Sequence, residues 1–235
     1  MRIVIAVATL VHIFTALGVV CTLFATLAVF HHQWEQVFIW LGVALIIDGA
    51  DGPLARKLDV KVVLPRFSGD RLDLVIDYLT YVFVPVLAMI EAGFLQGVIG
   101  YGLGIAILLS SLFHFSDTAS KTDDHCFVGF PAIWNVVAFY IFVFAPALPV
   151  VVGLVLLCVG LTFVPLKWVH PVRVTAWRPL TAAVSVIWAG AAVWATVGGF
   201  PAGFWPKAAL GFAGVYAIAL CVWHGNAQAM PSNRR

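Results

Sequence analysis

Charge is scarce in this chain. Only 10% of its 235 residues are charged while 63% are hydrophobic, and the mean hydropathy is +1.03. Those values exclude an ordinary soluble domain and match polytopic membrane proteins. The formal net charge is only +2, and the basic residues are dispersed between apolar runs, which argues against nucleic acid as a partner. Of the four cysteines, Cys21, Cys158 and Cys221 sit inside apolar runs as small hydrophobes. Cys126 follows His125, but no second Cys or His stands at zinc-ligand spacing. Neither structural zinc nor a disulfide is expected. Internal repeats, low-complexity tracts and a soluble second domain are also lacking, so residues 1–235 read as one integral-membrane domain.

What is present instead is a series of hydrophobic runs near the membrane-spanning length of about 17–25 residues. Polar breaks place them at Val4–Phe30, from Val37 into an acidic stretch, from Asp70 to Ile90, at Phe94–Phe115, at Leu180–Val197 and at Phe204–Trp223. The stretch Phe127–Leu166 divides at Pro146-Ala147-Leu148-Pro149 into two short helices, since each proline lacks a backbone donor and disfavours a helical predecessor. The first run is too long for a signal-peptide core and reads as a retained helix. The expected fold is therefore all-α: a polytopic membrane bundle of about eight transmembrane helices. Eight spans put both termini on one side together with twelve of the 13 Lys and Arg residues, Lys207 alone lying opposite. By the positive-inside rule that side is cytoplasmic.

More than half of the 11 acidic residues lie between Asp48 and Asp77. Ionisable groups at membrane depth are costly and are read as functional. On a helix at about 100° per residue, Asp48 and Asp51 share a side with Gly52, Ala55 and Arg56, and Asp73 shares a face with Asp77. Two adjacent helices can thus aim four carboxylates at one volume. Without nearby Cys or His this is a hard oxygen site, suited to magnesium, manganese or calcium. Two divalent ions there would orient and neutralise a pyrophosphate, with Arg56 adding a phosphate contact. Asp59 and Asp70 fall off this pattern, and Asp70 reads as the cap of the third long helix.

The order D-x2-D-G-x2-A-R, a spacer and G-x3-D-x3-D resembles the CDP-alcohol phosphotransferase family. Asp48, Asp51, Gly52, Ala55, Arg56, Gly69, Asp73 and Asp77 match each fixed position. Twelve residues separate Arg56 from Gly69, where many members of the family have eight. That spacer, Pro53, the phrase LPRFSGDRLDLVIDYLTYVFVP and the run HFSDTASKTDDHCFVGFPAIWN resemble the bacterial phosphatidylcholine synthase branch. The resemblance implies a six-helix catalytic core within the bundle, and transfer of the phosphatidyl group of CDP-diacylglycerol to choline with release of CMP. It further implies Mn2+ or Mg2+ held by Asp48, Asp51, Asp73 and Asp77, with Asp77 also the general base, and Gly52, Ala55, Arg56 and Gly69 lining the CDP site. A bacterial inner membrane location and a homodimer accompany it as expectations. From the chemistry of the residues alone, Asp73 and Asp77 remain alternatives for the base.

A quaternary ammonium offers no hydrogen-bond donor and is best held by aromatic faces near a carboxylate. Trp134, Tyr78 and Tyr81 are the candidates for choline, with Phe115 and Asp117 nearby in sequence. His12 in the first helix either faces the cavity or bonds neighbouring backbone. Serine, inositol or glycerol phosphate are the alternative acceptors. The rival class is a divalent-cation transporter, although its ionisable groups should be spread along several helices and not gathered at the ends of two.

Overall fold

The computed structural model describes residues 2–118, 127–168 and 177–229. His125 and Cys126 lie outside them. Ten α-helices occur in order among the described residues: α1 Arg2–Phe30, α2 Trp34–Lys57, α3 Val60–Val63, α4 Gly69–Asp77, α5 Val84–Glu91, α6 Gly97–Ser116, α7 Trp134–Phe144, α8 Leu148–Thr162, α9 Arg178–Gly198 and α10 Phe204–Ala229. A π-helical turn, Tyr78–Phe83, joins α4 to α5. Two strands of two residues each, β1 Phe127–Val128 and β2 Lys167–Trp168, pair antiparallel. Contacts divide the chain into two compact units, Met1–Leu108 with Ile133–Phe139, and Leu109–Ala132 with Tyr140–Arg235.

Among the described residues six helices are long and apolar enough to cross a membrane: Ile3–Phe30, Trp34–Lys57, Gly69–Glu91, Gly97–Ser116, Arg178–Gly198 and Phe204–Trp223. The chain is a multi-pass membrane protein with an all-α helix bundle. The expected count of eight exceeds these six, for a geometric reason. Prolines 146 and 149 interrupt the apolar stretch, leaving α7 with 11 residues and α8 with 15. At 1.5 Å per residue neither reaches across about 30 Å of hydrocarbon on its own.

In the first unit α1 packs along α2 and against α4 and α5. Its buried positions include Ala8, Val11, Thr15, Gly18, Thr22, Ala25 and Val29, a strict alternation of three and four residues. That is a heptad-type seam made of small side chains, the means by which membrane helices approach closely. The closest approach is at Gly18, where an added Cβ would collide with the Ile76 side chain of α4. Thr15, Thr22 and Thr26 bond their hydroxyls to the carbonyls four residues back, which lets polar residues sit in a transmembrane helix without an orphaned donor. The opposite face, including Ile3, Leu10, Leu17 and Leu23, is exposed as lipid-facing residues should be.

α4 starts one step earlier than expected. Its cap is Ser68, whose hydroxyl accepts from the Arg71 amide at 3.3 Å, and Asp70 sits in the first turn, where a negative charge complements the helix dipole. Asp70 also pairs with Lys61 at 3.6 Å, but both side chains are almost fully exposed, so the pair contributes little stability.

In the second unit α9 packs on α10. The Thr181 and Tyr216 hydroxyls meet at 2.7 Å, and the Tyr140 hydroxyl donates to the Leu210 carbonyl at 2.8 Å.

Candidate active site

α2 repeats the seam of α1. Val37, Leu41 and Ala44 are buried at spacings of four and three, and the same alternation continues to Asp48 and Asp51. The two aspartates are thus the polar continuation of an apolar packing stripe, which is why they face inward. The helix runs on past them despite Pro53. Proline lacks the N–H that would bond the carbonyl four residues back, here that of Gly49, yet the helix continues for four residues beyond it.

The second pair comes from α4, where Asp73 and Asp77 stand one turn apart. One carboxylate oxygen each from Asp48, Asp73 and Asp77 lies within 4.8 Å of the others. Asp51 remains outside this group of three. It is nonetheless buried and lines the same small cavity, beside Thr15. Thr15, Gly18, Ala44, Ile47, Ile76 and Thr80 complete the wall, leaving about 10 Å³ for a water-sized sphere. Three half-buried carboxylates at such distances repel unless a cation or proton compensates them. Oxygen ligands from three side chains fit a hard divalent ion, so the donor set fits the expected metal.

Two features of this site were not read from the sequence. The first is the wall contributed by α1: Thr15 and Gly18 belong to its small-residue seam, a signal that lies in side-chain size and not in hydropathy. The second is the π turn. Pro85 has no N–H to give the Tyr81 carbonyl four residues earlier, and its ring would crowd that group in a regular helix. The Val84 amide instead reaches the Leu79 carbonyl, five residues back. In a turn this wide, four residues fall short of a full circle, whereas in an α-helix they overshoot it by about 40°. Tyr81 is thereby returned toward the face of Asp73 and Asp77, and its hydroxyl donates to Asp48 Oδ2 at 2.7 Å.

The other expected residues are placed as follows. The exposed Arg56 folds back over Gly52, where a Cβ would lie 3.3 Å from the guanidinium Nη1. Ala55 packs against Ala8, Val11 and Val60. A Cβ on Gly69 would lie 3.1 Å from the His12 imidazole, and His12 Nε2 is buried with no hydrogen-bond partner among the described residues. The Tyr78 hydroxyl donates to the Leu108 carbonyl at 3.0 Å. Trp134 is completely buried, while Phe115 and Asp117 lie at and beyond the end of α6.

No family model matches the chain. Individual relatives do. It is 50% identical over 185 residues to the phosphatidylcholine synthase of Bradyrhizobium diazoefficiens, covering 78% of this chain and 69% of that protein. Identity to the phosphatidylcholine synthase of Agrobacterium fabrum is 39% over 210 residues, 89% of this chain and 87% of the other. That of Pseudomonas aeruginosa is 40% identical over 223 residues, 91% and 90% of the two chains.

Proposed function

The chain belongs to the bacterial phosphatidylcholine synthases, a branch of the CDP-alcohol phosphotransferase family, and on that premise we propose that it transfers the phosphatidyl group of CDP-diacylglycerol to choline. The observation that carries the chemistry is the convergence of Asp48, Asp73 and Asp77 within 4.8 Å from two separate helices. The choice of choline is supported by the names of the relatives.

In this reading Asp48, Asp51, Asp73 and Asp77 hold two divalent ions, Mn2+ or Mg2+. Such ions, when bound, neutralise the pyrophosphate and the charge that builds on the departing phosphate. Asp77 accepts the proton of the choline hydroxyl at a carboxylate oxygen as that hydroxyl oxygen forms its bond to the phosphatidyl phosphorus. The bond from that phosphorus to the bridging oxygen breaks, and CMP leaves with the electron pair. Gly52 and Gly69 leave backbone bare beside the donor headgroup, Ala55 keeps α2 close to α1, and Arg56 supplies a planar fork for a phosphate. The rings of Trp134, Tyr78 and Tyr81 are the candidates to face the choline ammonium.

The same reading takes residues 1–235 as one catalytic domain. It lets α7 and α8, with their flanking residues, bring the crossings to eight, and sets the acidic site on the cytoplasmic face of the bacterial inner membrane. A homodimer is part of the proposal.

The test is direct. Purified protein with Mn2+ or Mg2+ and CDP-diacylglycerol is offered labelled choline, serine, inositol or glycerol 3-phosphate. Label entering lipid from choline, with CMP in equal amount, is expected. Entry from another acceptor alone would overturn the specificity, and none from any would overturn the reaction.

A further inference from the structure

The 2.7 Å bond from the Tyr81 hydroxyl to Asp48 Oδ2 joins two transmembrane elements at the one carboxylate that α2 contributes to the group of three. A free aspartate side chain turns about two bonds, and only some of its orientations keep an oxygen near Asp73 and Asp77. The hydroxyl removes that freedom by holding one carboxylate oxygen. The π turn brings position 81 to the face of Asp73 and Asp77, and Pro85, which cannot donate to the Tyr81 carbonyl, stands just beyond it. Residues outside the ligand set that hydrogen-bond a ligating carboxylate set its orientation, and losing one typically costs about 10–100-fold in metal affinity.

We propose that Tyr81 is a positioning residue for the metal site: its hydroxyl fixes Asp48 in the ligating rotamer, and the π turn between α4 and α5 exists to deliver it. The inference rests on reading the three carboxylates as a divalent-metal site. It concerns the hydroxyl alone, so the ring face of Tyr81 stays available to a cationic substrate.

The experiment titrates Mn2+ into purified protein in detergent, without substrates, and follows free Mn2+ by electron paramagnetic resonance. Tyr81→Phe keeps the ring and removes the hydroxyl. It should bind Mn2+ about 10–100-fold more weakly than the wild type, with turnover recovering as metal is raised and the choline KM unchanged. Tyr81→Met, which removes the hydroxyl with a different apolar side chain, should show the same weakening and provides the measurement if the phenylalanine variant does not fold. Tyr140→Phe removes a comparable buried hydroxyl bond, to Leu210, and should leave Mn2+ binding intact. Wild-type affinity in Tyr81→Phe, or equal weakening in Tyr140→Phe, overturns the positioning role. A wild-type protein that binds no divalent ion overturns the metal reading itself, a separate and visible result.

Discussion

Replacing Asp73 with asparagine should make the metal-free protein more stable while destroying its response to metal. Carboxylate oxygens of Asp48, Asp73 and Asp77 lie within 4.8 Å of one another. At that separation and an effective dielectric constant near 20, each ionised pair costs at least about 3.5 kcal/mol. Asparagine at 73 removes two of the three pairs and nearly preserves shape. The gain has a ceiling, because the wild type can instead take up a proton: neutralising a carboxyl with an ordinary pKa of about 3.9 costs about 4 kcal/mol at pH 7. Stabilisation should therefore be positive and no more than about 4 kcal/mol, which is several degrees in melting temperature for a chain of this size. The assay is thermal unfolding in detergent, first with a chelator and then across a Mn2+ titration. Wild type should melt below the variant in chelator and climb past it as the ion is added, while Asp73→Asn stays level. If Asp73→Asn melts lower than wild type in chelator and both rise equally with metal, the carboxylates are not a mutually repelling ion site and the argument fails.

Gly18→Ala should cost about 1–3 kcal/mol by forcing α1 away from Ile76, and should lower turnover because Thr15 and Gly18 wall the same cavity. Gly42→Ala, with nothing within 4 Å of its added methyl, is the stability control, and both are read by thermal unfolding and the choline-transfer assay. In Gly69→Ala the methyl meets His12 at 3.1 Å. The loss of stability should shrink when His12→Ala is combined with it, and a double-mutant cycle measures that coupling. Asp77→Asn should abolish transfer, whereas retained turnover would remove it as the base.

Much of the site was legible because its chemistry is local in sequence. Asp48 and Asp51 are three apart, Asp73 and Asp77 four apart, and helical geometry alone predicts shared faces. Long apolar runs likewise located the six longest spans to within a few residues. The features that escaped depend on partners distant in sequence or on backbone bonding. Hydropathy is blind to the packing face of α1, since every side of that helix is apolar and only side-chain size distinguishes it. The π turn left no periodic trace in a segment of six residues, although Pro85 marks where an α-helical bond must be missing. Tyr81 was accordingly read for its ring, and its hydroxyl bond to Asp48, 33 residues away, was not foreseen. Asp70 stands at the expected start of the third long helix, but Ser68, two residues earlier, makes the capping bond.

The wide turn at Tyr78–Phe83 has a consequence for how this helix can change length. Elsewhere in the span Gly69–Glu91, deleting one residue would swing everything beyond it by about 100° and carry a packed face out to lipid. Inside the π turn the same deletion would close the backbone to ordinary α-helical bonding and leave both flanking faces where they are. This is the one stretch of the helix whose chain length and rotational phase are uncoupled. Material can be lost there without turning Asp73 and Asp77 on one side, or Val84 and Val86 on the other, away from the neighbours they pack against. What such a deletion would sacrifice is the reach of position 81 to α2.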